Sequence, residues 1–156
     1  MKFLAQRDVD FFRHINREIV DEVIETNVIV FKLSITQSPA NIYGEALTKS
    51  YHVGTQVTAL INREDKRPDS TDGVLSVSQD AKFSFLRDKL QEVGIYPEVG
   101  DIIEWDNTYW EINNAAENQN LMQQTFYDWS LVCDCHLTKR SALQLEERQH
   151  LPNRLV

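Results

Sequence analysis

The chain is poor in the residues that mark fibres, linkers and disulfide scaffolds: its 156 residues include 5 glycines, 4 prolines and 2 cysteines. With 42% hydrophobic and 26% charged residues, that composition excludes a collagen-like or disordered chain. It predicts one domain long enough to bury a real core. No apolar run approaches the roughly 20 residues needed to cross a bilayer. The opening MKFLAQRDVDFF turns charged early and lacks a signal-peptide core, so the expectation is a protein made and used without export, with no membrane partner. Excess positive charge is missing too, since 16 Lys and Arg stand against 24 Asp and Glu, a net −8. The densest basic piece, REDKRPD, is itself half acidic. Gripping DNA needs clustered cations at the phosphates, so proximity to DNA is compatible with this chain and adhesion is not. There is no GxSxG, no HExxH and no P-loop. Neither an enzyme nor a resident cofactor is expected.

The two cysteines lie in LVCDCHL. On a strand Cys133 and Cys135 share a face with Trp129, Leu131 and Leu137, an apolar row suited to buried thiols. Cα atoms two apart on a strand are about 6.5–7 Å apart, at the edge of what a disulfide spans. His136 falls on the other face, and His14, His52 and His150 have no companions at ligand spacing, so a zinc site is not expected.

Between Asp8 and Glu25 the apolar residues Val9, Phe12, Ile15, Ile19, Val23 and Ile24 recur at three- and four-residue steps. That spacing predicts an amphipathic helix with Asp8 as N-cap and Asp10 in its first turn. NVIVFKLSI (27–35) reads as a strand whose second half sets Phe31, Leu33 and Ile35 against Lys32 and Ser34. SPANIYGEALTKS is a loop, and YHVGTQVTALIN a second strand with Val53, Thr55, Val57, Ala59 and Ile61 on one face. Gly54 there suits a bulge or a close backbone approach. REDKRPDSTDG (63–73) is eleven polar residues without a large apolar side chain, read as a long projecting hairpin loop of the kind that is usually functional or disordered. The next segment has strand spacing at Val74, Phe83 and Phe85, then a short helix through Leu86, Leu90 and Val93 that stops at Gly94.

PEVGDIIEWDNTYWEINN (97–114) carries the densest aromatic pattern. Asp106-Asn107 fits a two-residue turn that pairs Trp105 with Thr108 and Ile103 with Trp110. One face, Ile103, Trp105, Trp110 and Ile112, is then core. The other, Ile102, Glu104, Tyr109 and Glu111, is mixed and expected to be wet, with Glu104 and Glu111 as solvated carboxylates rather than an acid/base pair. A last strand, FYDWSLVCDCHLT, precedes a polar tail whose Leu143 and Leu145 suggest at most a short helix. The expected fold is mostly β with α: a small antiparallel β-barrel or sandwich with an N-terminal amphipathic helix and a short inserted helix. Three parts follow, an N-terminal helical segment (1–26), a β domain (27–138) with the projecting loop 63–73, and a C-terminal extension (139–156). Helix, loop and tail are a large surplus around so small a core, which points to assembly rather than to a free-standing enzyme.

In this order the motifs FFRHINREIVDEVIETNVIVFKL, NIYGEALTKSYH before VTALI, and FSFLRDKLQEVGIYPEVGDIIEWDNTYWEI resemble the neck proteins of T4-like contractile-tailed bacteriophages, the head–tail connector component called a stopper or head-completion protein. The resemblance spans most of the chain. It implies a β-barrel subunit in a homo-oligomeric, hexameric ring in the virion neck, made in the host cytoplasm, between a portal-side connector ring and the tail terminator or other tail proteins. It brings no catalytic residues. Six copies at −8 would carry −48, and like-charge repulsion would let packaged double-stranded DNA slide. The loop residues Asp65, Lys66, Arg67, Asp69 and Asp72 are then expected to face the lumen or a neighbouring ring, and Phe11, Phe12, Ile19, Leu143, Leu145 and Leu151 to make assembly contacts. Other head–tail adaptors, tail-completion or terminator proteins, a small-ligand-binding barrel and a hydrolase using the outer carboxylates stay open as alternatives.

Overall fold

The computed structural model describes residues 5–34, 49–69, 76–117, 129–138 and 144–145. Helix α1 (Gln6–Glu18) runs directly into a π-helical turn, Ile19–Ile24, closed by Glu25 at φ 48° and an N–H of Glu25 donated to Val20 O. The N-cap is Ala5, with no side-chain cap, and Asp8 falls inside the first turn rather than ahead of it. The predicted apolar stripe does not face the core as a unit. Val9 and Val20 are buried, whereas Phe11, Phe12, Ile19, Val23 and Ile24 are exposed. The helix meets the domain through Val9, Val20 and a Phe12–Trp129 ring contact at 6.4 Å, with polar contacts beside them. Arg17 pairs with Glu92 at 2.7 Å, Arg13 with Asp88 at 3.9 Å, and Asp21 accepts from the Thr58 hydroxyl at 2.5 Å and meets Lys89 at 3.5 Å.

The strands are β1 (Asn27–Phe31), β2 (Ser50–Tyr51), β3 (Thr55–Thr58), β4 (Leu60–Arg63), β5 (Arg67–Asp69), β6 (Ser76–Ser78), β7 (Asp80–Leu86), β8 (Ile102–Trp105), β9 (Thr108–Glu117), β10 (Ser130–Thr138) and β11 (Gln144–Leu145), with α2 (Arg87–Val93) after β7. Seven form one antiparallel sheet in the order β3-β1-β8-β9-β10-β7-β4. No ladder joins β3 to β4, so this is an open, sandwich-like sheet and not a closed barrel. Yet its two edge strands are separated in sequence by Ala59 alone. The chain turns a corner there, leaving one edge of the sheet and joining the other. That corner breaks the single alternating strand expected over 51–62. Val57, Thr58 and Ala59 are buried in succession, and Val53 is exposed.

The main core fills the inside of this curl. Phe83 and Trp110 meet edge-to-face at 5.9 Å between Val28, Val30, Phe85, Ile112 and Leu131, and α2 plugs one end with Leu90. The cysteine row sits here as expected: Cys133 and Cys135 are buried and free. The hairpin turn is also as expected, with Asp106 and Asn107 at φ 48° and 59° and Ile103 opposite Trp110. Positive φ at both positions gives the turn the twist of its strands. Helix α2 stops at Gly94, φ 75°.

The outer face of that hairpin is not wet. Phe31, Tyr51 and Ile102 form a second buried cluster, flanked by Ile29, Leu33 and Tyr109. The alternation of β1 therefore serves two cores, Val28 and Val30 on one side and Phe31 on the other. Gly54 crosses this cluster at close range: a Cβ there would land on Ile29 Cγ2 and lie 2.7 Å from Phe31 Cε1. The polar stretch 63–73 is partly structured, since β5 pairs with β6 (Pro68 opposite Val77) as a two-stranded ribbon standing apart from the main sheet. In the tail, Gln144–Leu145 is a short strand parallel to β2 rather than a helix.

Candidate functional site

Three kinds of candidate site follow from the sequence: a carboxylate pair, an aromatic face and assembly surfaces. Glu104 is 7% exposed, with the second cluster on its face of the sheet, and Glu111 is held by Lys49 at 2.5 Å. A hydrolytic pair needs two carboxylates facing a substrate and a water; here one is enclosed and the other is neutralised. The expectation of two solvated carboxylates is thus corrected by the cover over this face. Trp110 is 1% exposed and donates its indole N–H to Thr108 Oγ1 at 2.8 Å, while Trp105 lies under the Arg63 guanidinium at 5.4 Å. These rings are interior filling, not the wall of a pocket.

One polar constellation stands at the entrance to β8. Gly100, at φ 93°, turns the chain so that Asp101 enters β8 almost fully buried. Its Oδ1 accepts the Leu33 N–H at 2.8 Å, and its Oδ2 accepts the Glu98 N–H at 2.8 Å and meets Lys32 Nζ at 2.9 Å. Lys32 also pairs with Glu98 at 2.7 Å and donates to Tyr96 O at 2.8 Å. Burial alone would lower the Lys32 pKa, but hydrogen bonds and charge from Glu98 and Asp101 outweigh it and the pKa is raised. These contacts tie the loop 95–101 to Lys32 and Leu33, just beyond the end of β1. The signal that could have found it is a carboxylate directly after a glycine at a strand entrance. The cysteines are chemically quiet: burial first, then the charges of Asp101 and Asp134, push the Cys133 thiol up to about 12, and burial likewise raises Cys135. Among the described residues no three His, Cys, Asp or Glu side chains are grouped to hold a metal ion.

The surfaces remain. Phe11 (60% exposed), Phe12 and Ile19, named as assembly contacts, are exposed, and so are Val23 (73%) and Ile24, so large apolar side chains stand out along the helix and its π-helical turn. Val23 and Ile24 belonged to the apolar pattern that predicts the helix but were not named among the assembly contacts. Leu145 lies in β11, and Leu143 and Leu151 lie outside the described residues. Of the loop set, Asp65, Lys66 and Arg67 are exposed at the base of the ribbon, Asp69 ends β5, and Asp72 lies outside the described residues. The ribbon leaves the pole of the sheet where β7 begins and β10 ends, while α1 and α2 occupy the pole where β7 ends and β10 begins. The two unpartnered features therefore sit at opposite poles.

No family model matches the sequence, and no curated protein does. Among solved structures, the fold is similar to a chain in the virion of a native gene transfer agent particle, at a TM-score of 0.51 and 11% sequence identity, over 70% of this chain and 90% of that one. At that identity the likeness is one of fold.

Proposed function

We propose that the chain is a structural protein of a tailed phage or phage-like virion, a subunit of the neck ring that joins the DNA-filled head to the tail. The observation that carries this reading is the exposure of five large apolar side chains, Phe11, Phe12, Ile19, Val23 and Ile24, along one helix and its π-helical turn. Large apolar side chains exposed in this number on one helix mark an interface. The fold likeness to a virion chain of a gene transfer agent supports the same class. In this reading six copies form the ring, a portal-side connector and the tail terminator are its neighbours, and the β5–β6 ribbon reaches toward the lumen or an adjoining ring. The acidic balance of each copy repels DNA and leaves the genome free to move. The subunit has no catalytic role.

Antibody labelling of purified particles tests the placement, with signal expected at the head–tail junction. Signal elsewhere on the particle, or particles that lack the chain, overturns it. The ribbon is tested by replacing residues 66–77 with a short turn on the intact base, where the Glu64 N–H donates to Asp80 O at 2.9 Å. Assembled particles that lose their DNA are expected; unchanged genome retention refutes the lumen role.

A further inference from the structure

The junction between α1 and α2 encloses a cavity of about 20 Å³ lined by Arg13, Asn16, Arg17, Asp88, Lys89 and Trp129. That is room for one species the size of a water molecule. Trp129 is fixed beside it: its carbonyl accepts the Arg87 N–H at 3.0 Å, and its ring lies 6.4 Å from that of Phe12. Yet the indole N–H of Trp129 is buried without an acceptor, an arrangement that costs stability. The rest of the lining is rich in donors too. Two guanidiniums and one ammonium stand against a single carboxylate, and Arg13 Nε stays 3.9 Å from Asp88 Oδ2, beyond a hydrogen bond. Arg17 and Lys89 reach Glu92 and Asp21, which do not line the cavity.

We propose that this cavity binds one small inorganic anion of the halide class, chloride in ordinary salt, which accepts from the Trp129 N–H and from Arg13. The net positive charge of the lining favours an anion over water, and a halide accepts from several donors at once while needing no acceptor in return. Phosphate and sulfate exceed the space. Arg13, Asn16 and Arg17 belong to α1, Asp88 and Lys89 to α2, and Trp129 stands just ahead of β10. The ion therefore ties the N-terminal helix to two parts of the domain. The proposal is independent of the assembly reading, since it concerns how α1 is seated and not what its exposed side chains meet.

Thermal unfolding of the full-length protein in sodium chloride and in sodium gluconate tests this, because gluconate is too large for the cavity and equal ionic strength holds screening constant. Chloride at about ten times its Kd should raise the Tm by about 4 °C over gluconate. Trp129→Phe keeps a ring beside Phe12 and removes the N–H, so the difference between the two salts should vanish. Arg13→Gln removes a cation whose exposed pair with Asp88 contributes little, and should weaken chloride binding about tenfold. A crystal soaked in bromide should show an anomalous peak between α1 and α2. Equal midpoints in the two salts mean that the space holds water only, and overturn the proposal. A chloride effect undiminished in either variant places the ion elsewhere, with the same result. Should Trp129→Phe fail to fold, Arg13→Gln and the bromide peak decide alone.

Discussion

Replacing Asp101 should be among the most damaging single changes available in this chain. The side chain is 1% exposed, and its two oxygens accept the Leu33 and Glu98 N–H groups and hold Lys32. Asp101→Ala leaves two backbone donors unpaired in the interior and Lys32 without its buried partner. Each lost charge-assisted hydrogen bond is worth about 1.5–3 kcal/mol, and removing one member of a buried pair costs about 3–5 kcal/mol. Because the three contacts share one carboxylate, the losses do not simply add, and the lower end, about 4 kcal/mol, is the expected total. That corresponds to roughly a 10 °C fall in Tm for a chain of this length. Asp101→Asn keeps one acceptor but turns an N–H₂ group toward donors, and should cost about 2 kcal/mol. Urea unfolding followed by tryptophan fluorescence reads both, since Trp105 and Trp110 sit on the hairpin that Asp101 opens. A stability change under 1 kcal/mol for Asp101→Ala would show that the clasp is incidental and that the Gly-Asp entrance owes its form to the turn alone.

Gly54→Ala should destabilise by about 1–3 kcal/mol through overpacking, with the new Cβ forced onto Ile29 and Phe31; circular dichroism melts check it. Lys32 has a raised folded-state pKa, so its contribution is complete below the unfolded value near 10.4 and fades as pH climbs through the higher folded value. Stability should therefore drop above about pH 10.4 in the wild type, and the drop should be smaller in Lys32→Met, measured by urea midpoints across that range. Cys133 and Cys135 should resist a thiol-reactive dye at pH 8 in the native protein and react at once in denaturant, because neither thiol ionises there. Val23→Ser should leave the unfolding midpoint within about 0.5 kcal/mol of wild type, as befits an exposed site, while weakening self-association.

What the sequence reveals about this fold depends on how local the controlling physics is. The Asp106-Asn107 hairpin, the cysteine row and the stop at Gly94 were all legible, because turn dihedrals and alternation are properties of a few neighbouring residues. The helix between Gln6 and Ile24 was legible as a helix, and Phe11, Phe12 and Ile19 as candidate contacts, but not its docking through Arg13 and Arg17 onto Asp88 and Glu92, more than seventy residues away. Ala59 is similar. Nothing in VTALIN says that the strand must turn from one sheet edge to the other, a demand set by curling the sheet around its main core. The buried state of Glu104 and the second cluster around Tyr51 were hidden for the same reason, since the cover over that face comes from distant strands. The core role of Trp110 in the aromatic hairpin was legible from its alternation with polar neighbours.

The central claim is that the outward apolar flank of the N-terminal helix exists to join copies of this chain. Native mass spectrometry of the purified full-length protein at rising concentration tests it most directly. The account predicts a discrete closed oligomer, six copies in the neck reading, that collapses to single chains when Val23 and Ile24 are both changed to Ser. A wild-type protein that remains a single chain throughout, or an oligomer indifferent to those two substitutions, would contradict it.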